Sequence, residues 1–423
     1  MYDILSVYLE NGLRVIMHKI PHARTMACGI WVKQGSKHES DEQNGLSHLI
    51  EHLMINIEND NNPRFKKLIS EVSSEGSVYN AGTTKETTSY YFTGLSNLLE
   101  KCIETLSTIV IDNKNFANEL IENEKKVVTQ ETISFYSSFN QIKERTSQSL
   151  WGNVGVGRII VGNIENVNNA KPSDLENIIK NSYTPENSTL VVVGGIDYQK
   201  TLDMIEENFS RWEDKQTRKY KEIVDSEPGI YFNSNKSGKS TAISIGFRTP
   251  SYMDSERGSI DIIAKILGDT SLESRLVQEI RMKRGLAYSI GAFTSFYENR
   301  GTLGFTAVCE NESVNEVVKI MIDEFHKVKN EGFTEKEISR VKKVLETRTL
   351  LDLDDLTSQL KFLGKTSSSG QLFSLEQEIR NIKKVNSESL HSAVQDIFIE
   401  EKMGLAAIGN CDVDQVISLL KLN

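Results

Sequence analysis

Two histidines stand four residues apart in His48-Leu49-Ile50-Glu51-His52, with a glutamate between them. Four residues is about one helical turn, so on a helix both imidazoles can reach a single point and Glu51 projects beside them. The flanking residues supply that helix. Leu46, Leu49, Ile50, Leu53 and Met54 recur at three and four within residues 44–56 and make one buried stripe, leaving His48, Glu51 and His52 on a neighbouring face. A lone histidine on such a helix is usually a core residue. Two of the chain's seven histidines on one face, with a carboxylate between, point instead to a zinc ion held in the inverted order of the better-known zinc-helix motif.

Two imidazoles need a third protein ligand. The segment Glu122-Asn-Glu124-Lys-Lys-Val-Val-Thr-Gln-Glu131 also has helical spacing and sets Glu124 and Glu131 on one face, two turns apart. One of them binds and the other supports, although the same spacing would suit a solvated face alternating with Lys125 and Lys126. Three ligands leave a fourth position for water, whose pKa falls to about 7 on zinc. Glu51 would then act as the base, taking the water's proton during attack on a peptide carbonyl and passing it to the leaving amine.

The chain repeats itself at a nearly constant offset. Leu190-Val-Val-Val-Gly-Gly-Ile-Asp197 matches Leu405-Ala-Ala-Ile-Gly-Asn-Cys-Asp412, and Phe116, Ile121, Lys125, Lys126 and Val127 match Phe333, Ile338, Lys342, Lys343 and Val344. Residues 45–54 pair more loosely with 258–267. The second copy has Asp261, Ala264 and Lys265 where the first has His48, Glu51 and His52, and Arg348 where the first has Glu131. A scaffold repeated without its ligands favours the metal reading of the first copy over the solvated face.

Duplication also sets the organisation. A chain of 423 residues suits two domains of roughly 200. Residues 214–229 are polar, lack an apolar period and end at Pro228-Gly229, which predicts a linker between a metal-binding domain, 1–213, and a homologous domain without metal, 230–423. Segments 13–17, 27–32, 87–93 and 242–248 read as strands preceding long amphipathic helices. The expected fold is α+β, with each domain a mainly antiparallel sheet that packs helices on one face.

Composition excludes more than it selects. No window approaches the roughly 20 apolar residues of a membrane span. A net charge of −10 without a basic block argues against nucleic acid. The amino terminus lacks the basic and apolar regions of a signal peptide, which favours the cytoplasm. Cys28, Cys102, Cys309 and Cys411 are too scattered for a disulfide framework or a thiolate zinc site.

With these residues in place, the chain resembles the family of pitrilysin, insulin-degrading enzyme and the mitochondrial processing peptidases, most closely its short bacterial members, over nearly its whole length. The family's metal motif is matched by His48, Glu51, His52 and Glu131, with Glu124 at the position of its second carboxylate. The resemblance implies one zinc per chain on His48, His52 and Glu131, with Glu51 and Glu124 as catalytic base and supporting carboxylate. Ser274 to Tyr288 resembles the segment carrying the family's Arg and Tyr pair, which implies that Arg281 and Tyr288 hold substrate backbone. The segment from Asn80 to Tyr90 resembles the edge strand that takes an extended peptide as an added strand, implying contacts at Asn80 and Ala81. The implied activity is a zinc-dependent endopeptidase acting on short or unfolded peptides, including leader or processing peptides. The alternative is a non-catalytic partner subunit. The family builds its chamber from four domains and one chain supplies two. The implied assembly is therefore a homodimer, or a heterodimer with a related subunit, in which Arg281 and Tyr288 of one chain serve the zinc of the other. After His52 this chain departs from its relatives' aromatic residue and Lys-Gly-Thr with the longer, acidic stretch 54–63, which implies a different side-chain pocket beside the scissile bond.

Overall fold

The computed structural model describes residues 4–59, 61–112, 115–213, 226–234, 238–367 and 374–422. Most of the expected linker, residues 214–225, lies outside them. The chain forms two compact units. The first comprises Met1–Ser134, Ile159–Glu222 and Leu350–Leu375, and the second Phe135–Arg158, Ile223–Thr349 and Glu376–Asn423.

The first unit is built on β1 (Ile4–Tyr8), β2 (Arg14–Lys19), β3 (Thr25–Val32), β4 (Val78–Thr83), β5 (Thr88–Leu95) and β6 (Ser188–Gly194), in the order β1-β2-β6-β3-β5-β4. Only β2 and β6 run parallel. The sheet is mainly antiparallel and carries most of its helices on one face, as the alternating strands predict. Met26, Cys28, Ile30 and Val32 of β3 and Leu190 and Val192 of β6 point into that helical layer.

The other face is covered too. Ala27, Trp31, Val191 and Val193 alternate with the first set, and Leu360 and Leu363 of helix Leu356–Ser367 close over them. This is why β6 is apolar at every position from 190 to 193: a strand buried on both faces cannot alternate. Gly364 permits the approach, since a Cβ there would fall 2.2 Å from the Trp31 ring. A helix from the second half of the sequence thus completes the unit that contains the first half's sheet.

The second unit repeats the plan with β7 (Ile230–Ser234), β8 (Ser240–Thr249), β9 (Ala287–Phe296), β10 (Gly301–Glu310) and β11 (Met403–Gly409), ordered β7-β11-β8-β10-β9. Again only one pair, β7 with β11, is parallel. Phe247, Phe305, Phe325 and Phe398 are fully buried and pack ring against ring in its core. The exchange is reciprocal, because helix Ile142–Trp151 of the first half lies on this sheet, with Ile142 against Ala242, Ala406 and Ile408.

Candidate active site

Helix Leu46–Ile55 carries the motif, and its amino-terminal end is fixed from outside. Gly45, at φ 106°, turns the chain where a Cβ would press on Val167, Val161 and Gly162, and it offers no side chain to cap the helix. The buried Glu39 does so instead. Its carboxylate accepts the Gly45 N–H at 3.0 Å, the Ser47 N–H at 2.7 Å and the Asn44 amide at 3.0 Å. A negative charge at a helix amino terminus is favourable, and although the three donors oppose it, burial pushes the Glu39 carboxyl above its ordinary range.

The buried stripe of the motif helix (Leu46, Leu49, Ile50, Leu53, Met54) faces the core as its spacing predicts. His48 and His52 then meet with ring centroids 4.8 Å apart and ring planes perpendicular. Their third neighbour comes from helix Asn118–Ser137, which buries Leu120, Ile121, Val128 and Thr132 and turns Glu124 and Glu131 toward the histidines. Glu131 Oε2 lies 3.5 Å from His48 Nε2 and 3.4 Å from His52 Nε2.

These distances fit a metal. A tetrahedral ion about 2.1 Å from each ligand separates neighbouring ligand atoms by about 3.4 Å. One nitrogen from each ring and one carboxylate oxygen all lie within 4.8 Å of one another. His48 Nδ1 is buried with no hydrogen-bond partner among the described residues, so Nε2 is the ring's outlet toward other polar groups. Burial, with His52 adding its charge, pushes the His48 pKa down to about 4, which keeps the ring neutral as a ligand must be. His52 behaves oppositely: burial works against its charge, but the Glu124 hydrogen bond and the charges of Glu131 and Glu51 lift its pKa above the ordinary value.

Glu124 and Glu131 have separate places. Glu131 is half exposed, at 49%, and faces both rings, whereas Glu124 is buried. Glu124 Oε2 meets His52 Nδ1 at 3.2 Å, on the side of the ring away from Glu131, and Oε1 accepts the Asn56 amide at 2.5 Å. Glu124 therefore orients a ligand while Glu131 offers itself as one.

Glu51 is buried, and burial raises its carboxyl above the ordinary carboxylate range. Hydrogen bonds from the Thr83 side chain and backbone oppose this, as does His52, while Glu131 adds to it. The Thr83 hydroxyl donates to Glu51 Oε2 at 2.6 Å. Thr83 ends β4, the outermost strand of its sheet, which also carries Asn80 and Ala81. The Asn80 side chain accepts the Ala81 N–H at 2.8 Å.

Arg281 and Tyr288 belong to the second unit. Arg281 sits on a π-helical turn, Val277–Met282, and its guanidinium lies 4.4 Å over the Tyr288 ring, which is 82% exposed on the edge strand β9. The positions matching the metal site hold a different chemistry there. Lys265 contacts Asp269 at 3.0 Å and Arg348 approaches the same oxygen at 3.9 Å. Asp261 is half-buried and accepts the Thr294 hydroxyl at 2.8 Å, its pKa pushed up to about 6 mainly by the loss of solvent around its carboxyl. Two cations around one carboxylate have replaced the ligand set.

Glu39, Asn56 and Thr83 were not singled out by the sequence reading. Glu39 and Thr83 lie outside any helical period, and Asn56 is one of several polar residues after the motif. Only their spatial partners mark them.

Comparison with known proteins supplies the wider setting. Residues 14–163 match the model of the insulinase family, peptidase family M16, and residues 169–345 match the model of the peptidase M16 inactive domain. A zinc protease of Mycobacterium tuberculosis, itself described as uncharacterized, is 27% identical over 408 residues, spanning 95% of this chain and 92% of its own. The mitochondrial-processing peptidase subunit beta of Neurospora crassa is 24% identical over 419 residues, spanning 96% of this chain and 87% of its own. The crystal structure of a protease from Helicobacter pylori superposes with a TM-score of 0.87 at 18% identity, covering 96% of this chain and all of that one. No helix among the described residues is long and apolar enough to cross a membrane.

Proposed function

The chain belongs to the insulinase family of peptidases, and on that premise we propose that it is a zinc-dependent endopeptidase, binding one zinc per chain through His48, His52 and Glu131. The observation that carries this reading is the convergence of two histidine nitrogens and one carboxylate oxygen at ligand spacing in the first half of the chain. When bound, zinc would polarise a peptide carbonyl and acidify a water. Glu51, beside His52 on the same helix, takes a proton from the attacking water and returns it to the departing amine. Glu124 holds His52 by its Nδ1 so that Nε2 stays turned to the metal. The first half, 1–213, carries the catalytic centre, although its compact unit gives up residues 135–158 and takes in 350–375, and Arg281 and Tyr288 supply substrate contacts to the zinc of a partner chain.

The substrate is an extended peptide added to β4 past Asn80 and Ala81, because an open sheet edge binds main chain and accepts unfolded segments of varied sequence. A processing or leader-peptide role suits such a site. This chain works as a dimer, with a second copy or a related subunit, a reading supported by the Neurospora relative's being named as a subunit. The competing reading is a non-catalytic partner, suggested by the inactive-domain match over residues 169–345. It is disfavoured because the ligand set lies outside that match.

The deciding experiment incubates zinc-loaded protein with a mixture of unstructured peptides and reads the products by mass spectrometry, beside Glu51→Gln at equal zinc content. Internal cleavage that falls by at least about 100-fold in the variant supports the peptidase. Equal cleavage by both proteins, or none by either, overturns it.

A further inference from the structure

Thr83 is where the sheet's open edge meets the buried carboxylate of Glu51. At the β4–β5 turn the Thr84 N–H bonds the Thr87 carbonyl. Backbone pairing alternates along antiparallel strands, so Gly82 and Asn80 turn their main-chain groups to β5, whereas those of Tyr79, Ala81 and Thr83 face the open edge. Thr83 accordingly turns its main chain to the open edge, with Glu51 against its side chain.

Its hydroxyl is committed to the same carboxylate. Thr83 Oγ1 lies 2.6 Å from Glu51 Oε2 and 3.4 Å from Thr88 Oγ1. The Thr88 proton goes to the Gln34 carbonyl at 2.8 Å, so it is not available to Thr83. An ionised carboxylate only accepts, which fixes the direction: the one Thr83 proton points at Glu51. The hydroxyl of one edge residue thus holds the base.

We propose that Thr83 is a positioning residue for Glu51, its hydroxyl clamping the carboxylate at the end of the β4 edge. The inference rests on the peptidase reading and adds to it the residue that holds the base. The position of the base is therefore fixed by one residue at the strand's end.

The test uses the full-length, zinc-loaded protein, with Thr83→Val, which keeps the shape and removes the proton, and Thr83→Ser, which restores the proton. A hydrogen bond to a charged group has a magnitude that corresponds to a kcat loss of ~10- to 100-fold in Thr83→Val, with KM within about twofold and zinc content unchanged. Thr83→Ser should recover kcat to within about threefold. Crystal structures of the variants give a second readout, independent of turnover: Glu51 stays in place in Thr83→Ser and swings away in Thr83→Val. Thr83→Ala serves for the same loss if valine is not tolerated. Wild-type kcat with Glu51 unmoved in Thr83→Val overturns the proposal, as does a rise in KM alone, which would make Thr83 a docking residue only. If the zinc-loaded wild type cleaves no peptide, the peptidase reading falls, and the crystal structures still decide whether Thr83 holds Glu51.

Discussion

Replacing Glu124 separates a residue that orients a ligand from one that is a ligand. Its carboxylate is buried, meets His52 Nδ1 at 3.2 Å and accepts the Asn56 amide at 2.5 Å. Glutamine keeps an acceptor for the His52 ring but loses the charge, so zinc affinity should fall by roughly tenfold, about 1.4 kcal/mol. Alanine leaves both the His52 N–H and the Asn56 amide without their partner. It should cost roughly 100-fold, about 2.7 kcal/mol, near the upper end for partners of metal-ligating histidines. The assay is competition for zinc against a chromophoric chelator at constant pH, with the folded state checked by circular dichroism. Both variants should still reach one zinc per chain at saturation, in contrast to Glu131→Gln. Unchanged affinity in both would refute the orienting role. Complete loss of zinc in both would make Glu124 a ligand and displace Glu131.

Two further outcomes follow from parts of the structure outside the ligand set. Burial, reinforced by Lys37 and Lys33, pushes the His38 pKa down to about 3, so the unfolded chain takes up a proton below about 6.5 that the folded one refuses until about 3. Stability therefore falls with pH across that window, and His38→Asn should shrink the stability difference between pH 7 and pH 5 by about 2 kcal/mol in metal-free protein, measured by urea unfolding. An undiminished difference would remove His38 as its source. Leu360 is fully buried against the outer face of the first unit's sheet, so Leu360→Ala should cost about 3 kcal/mol and speed amide exchange in β3 and β6, although residue 360 lies in the second half of the sequence. Faster exchange confined to β7–β11 would contradict the helix exchange.

Features governed by local period were legible in the sequence. The motif helix and the helix bearing Glu124 and Glu131 followed from apolar spacing, and the repeat foretold two sheets of like order. The absence of ligands in the second copy was also visible, though not its replacement by Lys265 and Arg348 around Asp269. The exchanged helices were not legible, because an amphipathic segment such as 356–367 records that it has a buried face and not which sheet buries it. Thr83 was hidden for a similar reason. A threonine at a strand's end is ordinary in sequence, and only the approach of the motif helix to β4 makes it a partner of Glu51.

The most direct test of the account is the zinc content of the purified protein and its ligand variants by elemental analysis. The account predicts about one zinc per chain in the wild type, in Glu51→Gln and in Thr83→Val, and essentially none in His48→Ala, His52→Ala or Glu131→Gln, because a three-ligand site does not tolerate the loss of a ligand. Full zinc occupancy in any of the last three, or a wild type that takes up none when zinc is supplied, would contradict it.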